Sequence, residues 1–155
     1  MPDDEYPPVV ADRWEDVLAD ASATAAEYRE EGWAVLELHP GDVTPLTDDP
    51  FGFDVLAPDD EFADLRAAVE DVEVDRTSVY RAQDGGVRFY VTVAEATDAG
   101  RAVVVPTFLL LADLPALQQR AEDAGVMYTH VRTLSLDERV TFRHEDPDRF
   151  FEPTD

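Results

Sequence analysis

The chain has 155 residues, and its 36 Asp and Glu against 12 basic residues give a formal net charge of −24. Its 45% hydrophobic content is typical of a globular chain with one sizeable core. All 12 basic residues are Arg and there is no Cys, which excludes disulfides, thiolate metal centres, P-loop lysines and lysine Schiff bases.

The first part of the chain is predicted to contain one helix and two strands. Residues 1–11 hold three prolines and are predicted to form a loose N-terminal lead-in. Apolar residues then recur on one face of a helix over 12–31, which Gly32 ends. A strand over 33–39 and a short strand over 53–58 follow, and the polar residues between them are predicted to form a loop over 41–53.

The middle of the chain is predicted to form a helix and three consecutive strands. The helix covers 59–71, and the strands cover 76–82, 87–95 and 102–111. The sequence QDGG between the first two strands is typical of a hairpin turn. The third strand is almost wholly apolar, but Pro106 cannot donate to a sheet, so an edge or a bulge is expected there.

The last part of the chain is predicted to add a helix over 114–124, two strands over 126–134 and 139–145, and a short final turn, DRFF. The predicted fold class is α+β, with a mainly antiparallel sheet of five to six strands and about three helices packed on it. A single domain is expected over 12–151 and a C-terminal tail over 152–155.

The last two strands concentrate the basic character of the chain. Residues 128–151 contain four Arg and five acids, a charge of −1, whereas the rest contains 8 Arg and 31 acids, a charge of −23. A turn centred on 136–137 would place four basic side chains on one face of the hairpin, because side chains alternate along a strand. These are His130, Arg132, Arg139 and Arg143, with His144 as an additional member. That register pairs Leu134 with Arg139, Arg132 with Thr141, and His130 with Arg143.

Two interpretations of this basic face stay open. The arginines either pair with carboxylates of the protein itself or bind a small anionic ligand or an acidic protein surface through their guanidinium groups. The leading functional prediction is therefore a small non-catalytic binding or interaction module with an anion-binding hairpin. The alternative is a small hydrolase-like enzyme in which His130 or His144 acts as general base and an arginine stabilises the developing anion.

Other sites and partners are weighed against simpler interpretations. The three histidines lack a metal-ligand spacing such as H-E-x-x-H, and no metal or other cofactor is predicted. The acidic charge disfavours nucleic acid as a partner. The apolar strand AVVVPTFLLL, if it lies at an edge, would favour homo-oligomer formation.

The charge also indicates an environment. The acids are dispersed along the chain, and their mutual repulsion is largely screened at about 1 M salt, where the Debye length is roughly 3 Å. A salt-accumulating cytoplasm is therefore predicted. An acidic mimic of nucleic acid is the alternative, which would require the charge to be concentrated on one face. The sequence has no apolar run long enough to span a membrane and begins without a signal-peptide pattern, so a cytoplasmic location is expected.

Two stretches carry a family resemblance, EYREEGWAVLELHPGDVTPL at 27–46 and THVRTLSLDERVTFRHEDPDRFF at 129–151. They resemble a family of short haloarchaeal proteins of unassigned function, over nearly the whole chain. The resemblance implies an origin in a salt-rich cytoplasm. It implies no catalytic residue, cofactor or substrate.

Overall fold

The computed structural model describes residues 7–135 and 138–152, and within them the chain forms four helices and two mixed four-stranded sheets. The α+β class is confirmed. The prediction of one mainly antiparallel sheet of five to six strands is wrong, and the predicted final turn DRFF is a short fourth helix. The predicted turn centre at 136–137 lies outside the described residues, as do parts of the predicted lead-in, 1–6, and tail, 153–155.

The elements in chain order are α1 (Pro8–Glu30), β1 (Ala34–Glu37), β2 (Asp42–Leu46), β3 (Gly52–Leu56), α2 (Asp59–Val69), β4 (Arg76–Asp84), β5 (Val87–Ala96), β6 (Arg101–Leu110), α3 (Leu114–Ala124), β7 (Met127–Arg132), β8 (Arg139–His144) and α4 (Asp148–Phe151).

Each sheet combines one parallel pair with two antiparallel pairs. The first sheet has the order β1-β6-β5-β4, in which β1 and β6 are parallel. The second sheet has the order β2-β3-β7-β8, in which β3 and β7 are parallel. Helices α2 and α3 carry the chain from one sheet to the other. The two parallel pairs therefore join strands that are distant in sequence, and this is why hairpin patterns alone indicated a single sheet.

The first sheet lies between α1 and the second sheet. Helix α1 packs on its outer face, where Trp14 meets Phe108 edge-to-face with ring centroids 5.8 Å apart. On the opposite face Tyr90 contacts Phe53 of the second sheet, with centroids 5.3 Å apart. The buried hydrophobic residues form one cluster that includes both sheets. Strand β5 is buried along its whole length because it is covered on both faces.

Two element boundaries differ from the prediction for local reasons. Helix α1 begins at Pro8, four residues before Asp12, because proline is well tolerated in the first helical turn, where its missing N–H is not needed. Strand β2 lies inside the predicted loop 41–53. Its sequence, DVTPL, contains Pro45, which is acceptable because β2 is an edge strand of the second sheet.

The apolar strand β6 is not an edge strand, since it lies between β1 and β5. Pro106 is nevertheless accommodated, because β1 ends opposite Val104. The Val104 carbonyl accepts the Leu38 N–H from the β1 side, and residues two apart along a strand face the same way. The nitrogen of Pro106 therefore faces that side beyond the end of β1. The prediction of homo-oligomer formation depended on a free apolar edge at this strand. Strand β6 does not offer that edge where β1 and β5 flank it.

The predicted hairpin turn between β4 and β5 is confirmed. Asp84 pairs with Val87, which leaves Gly85 and Gly86 as a two-residue loop. Their φ values are 57° and 83°, the conformation that favours glycine at both positions of such a turn. Across residues 7–135 and 138–152, no helix combines the length and the apolar character needed to cross a lipid bilayer.

Candidate functional site

The basic hairpin predicted from the sequence exists as the antiparallel pair β7 and β8, but its register differs by two residues. Because side chains alternate with a period of two, this shift leaves His130, Arg132, Arg139 and Arg143 on the same outer face of the second sheet. The predicted pairing is wrong because Arg132 pairs with Arg139, so the connection is centred one residue earlier in the chain than predicted. The observed pairs are Arg132 with Arg139, His130 with Thr141, and Tyr128 with Arg143.

Arg132 is held by a carboxylate of the protein itself. Its Nε lies 3.0 Å from both carboxylate oxygens of Asp54, which is on β3 beside it. The Asp54 side chain is only 11% exposed, so the pair is largely shielded from water. The charge of Arg132 is therefore neutralised within the protein. This agrees with the interpretation in which the arginines pair with carboxylates of the protein itself.

His130 is also satisfied internally. Its side chain is buried, with Nε2 2.8 Å from the Phe51 carbonyl and Nδ1 2.9 Å from the Thr141 hydroxyl. A carbonyl only accepts, so Nε2 carries the proton and Nδ1 accepts from Thr141. Burial lowers the pKa of His130, and the charge of nearby Arg139 lowers it further. His130 is a neutral, packed residue that is stacked against Tyr128.

His144 does not belong to the basic face, and this part of the prediction is wrong. It follows Arg143 directly, so it points to the opposite side of β8, into the space between the sheets. Its Nδ1 lies 2.8 Å from the Thr77 hydroxyl and its Nε2 lies 2.9 Å from the Thr129 hydroxyl. Burial lowers the pKa of His144 to about 3, so the ring is neutral at ordinary pH.

Arg143 of the hairpin and Arg149 beyond it line a groove between the start of β4 and the end of β8. This groove has a volume of about 480 Å³ and brings together Arg76, Arg143 and Arg149. Thr77, which bonds His144, also lines it. We call this feature the Arg groove. Of the predicted anion-binding residues, only Arg143 lines it.

Arg76 is anchored to a buried carboxylate. Its Nε and Nη2 donate to the same oxygen of Glu95 at 2.8 and 2.5 Å. Glu95 is almost inaccessible, and its other oxygen accepts the hydroxyls of Tyr28 and Ser78, each at 2.9 Å. Burial raises the pKa of Tyr28 to about 12, which keeps its hydroxyl protonated as a donor. This network fixes the position of Arg76 from inside the protein.

Arg143 and Arg149 are each anchored through one nitrogen. Arg143 Nε donates to Glu145 at 2.5 Å, and Arg149 Nε donates to Asp146 at 3.1 Å. Within residues 7–135 and 138–152, the terminal nitrogens of both arginines donate no further hydrogen bond. The groove therefore holds two guanidinium groups whose terminal N–H donors are not used by the described residues.

A carboxylate in the wall of the Arg groove is also engaged elsewhere. Asp75 accepts the N–H of Thr97 at 2.9 Å and its hydroxyl at 2.5 Å. These hydrogen bonds lower the pKa of Asp75. Its carboxylate is thereby held toward the β5–β6 connection. This reduces its competition for the arginines.

A family model covers the described part of the chain. The model of DUF7529, a family of unknown function, matches residues 7–152. The chain belongs to DUF7529. This confirms the predicted resemblance to a family of unassigned function over nearly the whole sequence. Comparison of this DUF7529 chain with curated proteins and with solved structures finds no match.

Sequence reasoning missed Arg76 and Glu95 in this DUF7529 chain. Arg149 lay inside the basic segment, but nothing in the sequence indicates that the start of β4 stands beside the end of β8. The available signal for Glu95 was its position two residues after Val93, on the apolar face of the strand, since a buried carboxylate there requires internal partners.

The remaining histidine, His39, is held by a single carboxylate. His39 is exposed, and its Nδ1 lies 2.7 Å from Glu61, whose other oxygen accepts the His39 backbone N–H at 2.6 Å. In the part of the chain that the structure describes, no group of three or more His, Asp or Glu side chains is arranged to hold a metal ion.

Proposed function

We propose that this DUF7529 chain is a non-catalytic binding module that holds a small oxyanion in the Arg groove. The observation that carries this is the convergence of Arg76, Arg143 and Arg149, two of which have unused terminal N–H groups. Planar guanidinium forks match the oxygen pairs of phosphate and carboxylate groups. Fixing the Nε side of each arginine lowers the entropic cost of binding, because the side chain is already ordered.

The Arg groove is a better anion site than the outer face of the hairpin. On that face Arg132 is neutralised by Asp54 and His130 is buried and neutral. Arg139 is exposed there, and its strand partner Arg132 is already paired with Asp54. The proposed site therefore keeps Arg143 from the sequence prediction and adds Arg76 and Arg149.

The ligand of the Arg groove is expected to be small. A net charge of −24 repels extended polyanions such as nucleic acid, and the walls of the groove themselves contain acids. A compact phosphate-like group contacts only the guanidinium groups and avoids most of that repulsion. We place this binding in a salt-accumulating cytoplasm, where molar salt screens the rest of the anionic surface.

The geometry of the histidines favours binding over the hydrolase-like alternative. A general base must come within hydrogen-bond reach of the proton it removes. Both ring nitrogens of His130 and of His144 are already bonded inside the protein, and both side chains are buried. Neither imidazole can receive a substrate proton without disruption of these bonds.

Thermal unfolding with inorganic phosphate at a fixed molar KCl concentration tests the proposed site. We expect phosphate to raise the midpoint of the wild-type chain in a saturable way, because a ligand that binds only the folded state stabilises it. The double variant Arg143→Gln with Arg149→Gln should lose this response. The matched control is Arg13→Gln with Arg29→Gln, which removes two exposed, ion-paired arginines outside the groove and should keep it.

Two results would contradict the proposed function. One is a wild-type midpoint that does not respond to phosphate or to pyrophosphate. The other is an equal loss of response in the control variant, which would show a general effect of charge. Circular dichroism of all variants checks that the fold is kept.

A further inference from the structure

A second cavity, unrelated to the Arg groove, lies between α2 and the first sheet. Its volume is about 190 Å³, and every lining residue other than Asp64 and Arg101 is Ala, Val or Leu. We call it the aliphatic cavity. For comparison, an engineered apolar cavity of about 150 Å³ in another protein binds benzene. The space therefore suits one branched aliphatic group.

Small side chains leave this space open. Ala94 and Ala96 on β5 lie on the face of the first sheet that is turned away from α1, and Ala68 faces them from α2. Helix α2 is anchored nearby by the buried residues Phe62 and Leu65, so it does not collapse onto the alanines. The cavity therefore follows from the small side chains that line it and from the fixed position of α2.

Arg101 provides a positive group at the aliphatic cavity. Its Nη1 donates to the Ala68 carbonyl at 2.9 Å and to Asp71 at 3.1 Å. Within the described ranges, its Nε and Nη2 donate no hydrogen bond. Asp71 is largely exposed to water, so its pairing with Arg101 is weak. Arg101 thus retains donors that a bound carboxylate can use.

Asp64 provides a negative group at the same cavity. It is exposed, and no described residue forms a hydrogen bond or an ion pair with its side chain. Asp64 precedes Ala68 by four residues, so it lies on the same face of α2, with a rise of about 6 Å between the two Cα atoms. Asp64 and Arg101 both line the cavity, so each can face the oppositely charged group of a bound α-amino acid.

We propose that the aliphatic cavity binds a free aliphatic α-amino acid of the valine, leucine and isoleucine class. Arg101 binds its carboxylate, Asp64 binds its ammonium group, and the cavity takes its branched side chain. An apolar pocket with few polar groups at one end is typical of small-molecule sites. One cation and one anion in the lining of an otherwise aliphatic cavity match a zwitterion better than a simple acid or a simple amine.

Three ligands separate the contributions of the two charges. Leucine is compared with isovalerate, which lacks the ammonium group, and with isopentylamine, which lacks the carboxylate. The thermal midpoint of the full chain is measured at a fixed molar KCl concentration. We expect leucine to raise the midpoint in a saturable way and each analogue to bind about tenfold more weakly or worse, because a polar group of the site is then left unpaired.

Charge variants assign the roles of the two residues. Asp64→Asn should remove the preference for leucine over isovalerate, and Arg101→Gln should remove the preference for leucine over isopentylamine. Asp60→Asn, an exposed acid on the same helix that does not line the cavity, is the matched control and should leave both preferences intact.

A filled cavity tests the site without loss of charge. Ala68→Met places a larger side chain into the space from a partly buried helical position where Met is well tolerated. It should abolish the leucine response while circular dichroism stays unchanged. A wild-type midpoint that ignores leucine, equal responses to leucine and isovalerate, or a leucine response that persists in Ala68→Met would each overturn the proposal. Phosphate binding in the Arg groove is measured separately, and its failure would not affect this result.

Discussion

His144 links the packing between the two sheets to pH. Its depressed pKa means that the folded chain keeps the ring neutral, whereas the unfolded chain protonates it near its ordinary value of about 6.5. The stabilising contribution is therefore fully present above about pH 6.5 and is lost as the pH falls toward the folded-state pKa of about 3. Across that window His144 alone should lower the free energy of unfolding by up to about 1.4 kcal/mol per pH unit.

A comparison of slopes isolates this effect from the many carboxylates of the chain. The free energy of unfolding is measured by urea titration at several pH values between about 6.5 and 4 for the wild type and for His144→Gln. The variant should be less stable at neutral pH and should decline less steeply toward acid. His39→Gln, at an exposed position, is the control and should follow the wild type. Parallel slopes in all three chains would show that His144 does not titrate as its burial requires.

Gly52 is a second position where a single residue affects stability, because the addition of one Cβ atom there is unfavourable. Its φ is +126°, and a Cβ added to it would lie 2.3 Å from the Tyr128 carbonyl oxygen of the neighbouring strand. Gly52→Ala should therefore destabilise the chain by about 2 kcal/mol or more, because the backbone strain and the clash add. Gly41→Ala is the control, since a Cβ added there would have no heavy atom of another part of the chain within 4 Å. Equal urea midpoints for the two variants would contradict the close approach of β3 and β7.

Helix α4 closes one end of the space between the sheets. Phe150 is fully buried and contacts the rings of Phe53, Tyr90 and His144, with centroids 5.0 to 6.2 Å apart. Its carbonyl accepts the Tyr90 hydroxyl at 2.7 Å and an Arg88 N–H at 3.3 Å. These contacts tie a four-residue helix, too short to be stable alone, to both sheets.

Phe150→Ala should thus cost about 3–5 kcal/mol, the usual range for a buried Phe. Leu134→Ala is the control, because Leu134 is an exposed large hydrophobic residue and its truncation should change stability by less than about 0.5 kcal/mol. Both are measured by urea unfolding. A loss below about 1 kcal/mol for Phe150→Ala would mean that α4 is only loosely attached.

Elements with strong local signals were predicted well. Helix α3 matches its predicted span, and the β4–β5 hairpin has the turn that its two glycines favour. The parallel pairs β1–β6 and β3–β7 could not be predicted, because the pairing of strands from distant parts of the chain depends on how the two sheets pack. The same limit applies to the site. Alternation placed His130, Arg132, Arg139 and Arg143 on one face, but the carboxylate partner Asp54 comes from β3, far away in the sequence.

At the scale of the whole molecule, the net charge of −24 should make stability depend strongly on salt. The repulsion among exposed acids acts over a Debye length of about 10 Å at 0.1 M salt and roughly 3 Å at 1 M. The thermal midpoint should therefore rise as KCl is raised into the molar range. The binding proposals are tested at fixed KCl for this reason.

Removal of charge from one helix shows whether repulsion is the cause. Glu15→Gln, Asp20→Asn and Glu30→Gln together neutralise three exposed acids of α1, which changes the net charge from −24 to −21. We expect the triple variant to melt above the wild type at low KCl, because part of the repulsion is gone, and to converge with it at molar KCl, where salt already screens those charges.

The matched control changes the same helix without a change of charge. Ala19→Gln, Ser22→Gln and Ala26→Gln alter three exposed positions of α1, so the low-salt midpoint of this variant should not rise, whatever small effect the new residues have on helix propensity. A salt-independent midpoint in the wild type would contradict the charge argument directly. A triple acid variant whose advantage persists unchanged at molar KCl would show that helix propensity, and not screened repulsion, is the source of the gain. Convergence of the two melting curves with rising KCl is the behaviour that only electrostatic self-repulsion produces, because packing and propensity act equally at all salt concentrations.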